Sequence, residues 1–201
     1  FFTSKNFINY IYLKIVLLIL FIICIGTPTI PNDSRNLYLF SAKILFFESF
    51  LYTRLDYGNN TLNYFLDIVF SKPKFAATLS ATFAKLLGFW NEILPKTTNI
   101  ILILPPMIFL MSAFKDKLLS TLWIFLVLFF SGKLLINGLM DGIISLYFAS
   151  NILLSYLILF EKNSYDKKLL YFLMFLFFGI LSLSKNEGTI MLCIIIISTI
   201  L

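Results

Sequence analysis

Apolar runs of near membrane-spanning length, each closed by a short polar segment, recur along the chain. The plainest is at residues 15–25, IVLLILFIICI, with no charged or hydroxyl side chain. A helix needs roughly 20 mostly apolar residues to cross a bilayer. No water is present there to satisfy the backbone, so such runs must bond internally as helices. The candidate spans are Phe7–Thr27, Asn99–Phe114, Leu118–Ser131, Ile143–Phe160 and Leu169–Ser182, and Thr189–Leu201 opens another. Pro105-Pro106 predicts a kink in the second. Composition agrees: 60% of residues are hydrophobic, 13% are charged, and mean hydropathy is +0.94. A soluble domain has roughly 45–50% apolar and 25% charged residues. The expected class is all-α: a polytopic transmembrane helix bundle, with 1–201 as a single domain. The chain opens on Phe1 and stops in an isoleucine-rich run, so it reads as the N-terminal part of a longer protein.

Residues 28–98 depart from this pattern. They hold Pro28, Pro31, Pro73 and Pro95, the polar patch DYGNNTLN at 56–63, and many charges. This predicts a long extramembrane loop with helices of its own. Within it, KFAATLSATFAKLLGFWNEILPK at 74–96 places Phe75, Leu79, Phe83, Leu86 and Trp90 on one helical stripe. Lys74, Thr78, Ala81 and Lys85 fall on the other side. The expectation is an amphipathic helix lying at the membrane interface.

Charge sets the orientation. If 74–96 does not cross, Lys5, Lys115, Lys117, Lys162, Lys167 and Lys168 share one side. The short loops opposite carry only Lys133 and Lys185. The lysine-rich side is cytoplasmic by the positive-inside rule, so the N-terminus is inside and 28–98, 132–142 and 183–188 are outside. Residues 1–26 look like a signal peptide, but the cleavage signal is poor and further spans follow, which predicts a retained signal anchor. The net charge of +6 is scattered singly between apolar runs. That suits loop placement and membrane lipid head groups, and argues against nucleic acid as a partner.

Other chemistry is excluded. The chain has no histidine, which rules out His-ligated metals and Ser-His or Cys-His nucleophiles within it. No phosphate-binding loop occurs, because Ser131-Gly132-Lys133 lacks the upstream glycine. Cys24 and Cys193 sit in apolar runs and read as small buried hydrophobes. No metal site and no cofactor are indicated, and the need for a divalent cation stays open.

The topology gathers three polar segments on the outer side, each with two readings. Asp33, just past the first span, is either a helix cap or a general base at the membrane boundary. Asp141, between Met140 and Gly142, is either a turn residue or a carboxylate aimed into a shared cavity. Lys185 and Glu187 break two apolar runs. They are either an interfacial bend with a snorkelling lysine, or a phosphate-binding cation with an orienting carboxylate.

In order and spacing, these segments resemble the GT-C superfamily of integral-membrane glycosyltransferases, including protein mannosyltransferases and lipid A aminoarabinose transferases. The matching residues are Asp33, Arg35, Ala42 and Lys43; then Gly88, Trp90, Asn91 and Glu92; then Asp141; then Lys185, Asn186, Glu187 and Gly188. The resemblance departs from the family pattern where Ser34 follows Asp33, and where SKPK stands before the amphipathic helix. It implies a polyprenyl-phosphate-linked sugar as donor, a lipid, glycan or protein acceptor, and action at the outer face of a bacterial inner membrane. Asp33 would be the catalytic base, and Arg35, Lys43, Asp141, Lys185 and Glu187 would bind substrate. The rival readings are a transporter or flippase for a lipid-linked glycan, and a non-catalytic subunit of a membrane complex.

Overall fold

Backbone demand in an apolar run is met by helix, and the chain folds accordingly. The computed structural model describes residues 4–26, 39–48, 75–91, 93–114, seven positions within 119–129, 140–160 and 167–200. The helices are α1 (Ser4–Gly26), α2 (Phe40–Glu48), α3 (Phe75–Leu87), α4 (Leu94–Ala113), α5 (Asp141–Phe160), α6 (Lys167–Ser184) and α7 (Asn186–Ile200). The described positions between 119 and 129 are helical too, and among the described residues there is no strand. The fold is all-α. Among the described residues, two helices, α5 and α6, are long and apolar enough to cross a membrane. Shorter apolar helices occupy Lys14–Gly26, Phe75–Leu87, Thr97–Ala113 and Asn186–Ser198.

Helix α4 is the hub, packed against α1, α3 and α5. Its helical assignment runs through Pro105 and Pro106. Pro106 has no N–H, so the Leu102 carbonyl one turn earlier loses its helical donor. The buried Tyr147 of α5 supplies the replacement: its hydroxyl donates to the Leu102 carbonyl at 2.8 Å. The Tyr147 ring also meets Phe177 of α6 edge-on at 5.1 Å, and Phe177 meets Phe109 of α4 at 5.9 Å. These rings join three helices in one core.

On α1, Leu20 and Cys24 are buried, with Val16 half-buried one turn earlier. Large side chains elsewhere on that helix stay outside, among them Leu18 and Ile22 at 59% and 60% exposure. Among the described side chains of α1, one stripe meets protein.

Residues 74–96 differ from expectation. The helix stops at Leu87, because Gly88 adopts φ 78°, a left-handed conformation that favours glycine, and donates to the Lys85 carbonyl at 3.1 Å. The Asn91 side chain then accepts from the Ile93 N–H at 2.9 Å and leads the chain into α4. The fully buried positions are the small ones, with Phe75 and Leu79 half-buried against the core. Ala76, Ala77, Ser80, Ala81 and Ala84 are buried, whereas Leu86 is 80% exposed. Small residues at spacing four let backbones approach, and Ser80 shares a 2.8 Å hydrogen bond with Thr98 of α4. Ala81, expected on the polar side, therefore lies in the contact.

Candidate functional site

Helices α5 and α6 run antiparallel. Asp141 at the start of α5 meets Lys185 just past the end of α6, and Tyr147 meets Phe177 further along. Only Lys185 separates α6 from α7, and α7 turns back to pack on both α5 and α6. The N-termini of α5 and α7 therefore come together. Each carries a carboxylate in its first turn, Asp141 and Glu187, where the helix dipole favours negative charge.

Lys185 lies between them. Its Nζ donates to Asp141 Oδ1 at 2.7 Å and approaches Glu187 Oε1 at 3.3 Å. The lysine side chain is 21% exposed, the carboxylates 48% and 52%. Burial by itself lowers the pKa of the Lys185 ammonium. The hydrogen bond and charge of Asp141, followed by those of Glu187, outweigh it and carry the value above that of an ordinary lysine. The two carboxylates thus favour the charged form of the lysine.

The structure thus brings together three of the sequence-derived site residues: Asp141, Lys185 and Glu187. Lys43 stands apart: it is exposed on α2 and has no hydrogen bond or ion pair to the cluster. Asp33, Arg35 and Glu92 lie outside the described residues. Trp90 packs on Phe46 of α2 at 5.7 Å, so with Gly88 and Asn91 it shapes the α3–α4 connection. Among the described residues, no group of three or more His, Cys, Asp or Glu is placed to hold a metal ion.

Sequence reading passed over a second polar row. On α5, Ser150 and Asn151 are fully buried and Ser155 is 7% exposed. Among the described residues, neither polar atom of the Asn151 amide has a hydrogen-bond partner, nor do the two serine hydroxyls. The signal was present: Tyr147, Asn151 and Ser155 recur every four residues inside an apolar run, which places them on one helical face.

Compared with known proteins, the chain matches no family model, no curated protein and no solved structure.

Proposed function

We propose that this chain is part of an integral-membrane glycosyltransferase of the GT-C type, moving a sugar from a polyprenyl-phosphate donor to a hydroxyl or amine acceptor. The observation that carries the reading is the meeting of Asp141, Lys185 and Glu187 at one end of the α5–α6 hairpin. An ammonium has three donors, and two are directed at carboxylates. The third remains for a phosphate oxygen, and as the prenyl phosphate leaves, that contact stabilises its growing charge. Asp141 and Glu187 hold the ammonium in place. Asp33 takes the acceptor proton as the acceptor attacks the anomeric carbon.

Membrane insertion is part of the proposal: α5 and α6 cross the bilayer and the shorter apolar helices join them. It is supported by large apolar side chains that face outward, such as Phe129 at 84% and Phe175 at 75% exposure. Apolar surface of that kind suits lipid. The N-terminus is assigned to the cytoplasm by the lysine distribution.

The test compares the protein with its Asp33→Asn form in membranes at matched levels. Transfer of labelled sugar from a pool of polyprenyl-phosphate sugars is measured. Loss of transfer in the Asn form, with folding intact, supports Asp33 as the base; equal transfer by both sinks it.

A second reading, transport of a lipid-linked glycan, is favoured by the buried row Ser150, Asn151 and Ser155 partway along α5. Polar groups at such depth suit a translocation path. Movement of labelled lipid-linked glycan across proteoliposomes, with no sugar transfer, would select it.

A further inference from the structure

Gly188 is the first residue of the stripe by which α7 packs on the bundle. Gly188 and Ile195 are buried, and Met191 and Leu192 pack on the core between them. Its N–H donates to the Lys185 carbonyl at 2.9 Å, closing the turn between α6 and α7. A Cβ at this position would collide with the backbone carbonyl oxygen of Leu181 and come within 2.9 Å of its carbon. Backbone in a helix cannot swing aside as a flexible side-chain end does. Gly179 of α6 is different, since a Cβ there meets nothing within 4 Å.

The two carboxylates of the cluster are held by different means. Lys185 follows α6 directly, and α6 packs along α5, so the Lys185–Asp141 pair comes from the hairpin itself. Glu187 belongs to α7, and its place depends on how closely α7 folds back. We infer that Gly188 is the positioning residue of the cluster: its missing side chain lets α7 close on α6 and holds Glu187 against Lys185. The inference deepens the proposed site but rests on its geometry, so it can fail while sugar transfer survives, and the reverse.

The experiment reads Lys185, which faces Asp141 from α5 and Glu187 from α7. Lysines carrying 13C-methyl groups are titrated by NMR in the full chain in detergent, and the Lys185 signal is assigned by its loss in Lys185→Arg. Glu187→Gln removes one of the groups that raise the Lys185 value, so its midpoint shifts down. Gly188→Ala is expected to shift it down equally, and to add nothing in the Glu187→Gln background. Gly179→Ala is expected to leave it unchanged. A wild-type midpoint in Gly188→Ala, or a shift that adds in full to that of Glu187→Gln, overturns the inference. Should Gly188→Ala fail to fold, one glycine inserted after Lys185 gives α7 slack to seat without the close approach. The same downward shift is expected there, and a wild-type midpoint overturns the inference.

Discussion

Tyr147 illustrates how one hydroxyl makes a proline pair tolerable in a central helix. Without Tyr147 the Leu102 carbonyl would be buried beside Pro106 with no helical donor. Tyr147→Phe keeps the ring against Phe177 and removes only the hydrogen bond. It should cost roughly 1–2 kcal/mol, since such bonds are worth about 0.6–2 kcal/mol in membrane proteins and an orphaned buried acceptor adds to the loss. Pro106→Ala restores an N–H one turn beyond Leu102. In that background the cost of Tyr147→Phe should fall to a few tenths of a kcal/mol, a non-additivity that reports a shared acceptor. Thermal midpoints of the four proteins in one detergent measure it; equal costs in both backgrounds would remove Leu102 as the link. This bond was not legible in the sequence. Pro105-Pro106 announced a broken ladder, but nothing local says which distant side chain repairs it.

At the scale of elements, helix positions were legible and helix faces were not. Apolar length located α1, α5 and α6 to within a few residues, because each run is too long for an ordinary strand. The stripe on α3 reads as the apolar face of an interfacial helix, which leaves open the face that packs on protein. Reading large apolar residues as the buried face assumes water on the other side. Here the fully buried residues are small, Phe75 and Leu79 are half-buried against the core, and Leu86 lies outside, as in helices that gain by close backbone approach. Ala84, 1% exposed, and Leu86, 80% exposed, separate the two views. Ala84→Leu should overpack the contact and cost about 1–3 kcal/mol. Leu86→Ala should change stability by less than about 0.5 kcal/mol. Denaturation in matched detergent checks both. The reverse order would restore the aromatic stripe as the packing face.

At the scale of the molecule, the convergence of Asp141, Lys185 and Glu187 was legible from topology. Segments far apart in sequence share an end when the helices between them run in alternating directions. The ion pairs within the cluster were not, since the Lys185–Asp141 pair depends on how α5 and α6 pack and the Lys185–Glu187 pair on the one-residue turn after α6. The Lys185–Asp141 pair joins residues 44 apart in the chain, so the titration of Lys185 is a property of the fold. Lys185 has a folded-state pKa above the ordinary lysine value of 10.5. A raised lysine contributes stability that is fully present below its unfolded value and is lost as pH rises through the folded one. Its contribution to the thermal midpoint should therefore be flat from pH 7 to about 10, then decline in stronger alkali. Lys185→Met removes the titrating group and leaves two carboxylates facing each other. Its midpoint should lie below wild type throughout the flat range, and the gap should close as wild-type Lys185 loses its proton. A gap that stays constant through pH 11 would mean that the ammonium charge contributes nothing and that the lysine acts only through its packed aliphatic stem.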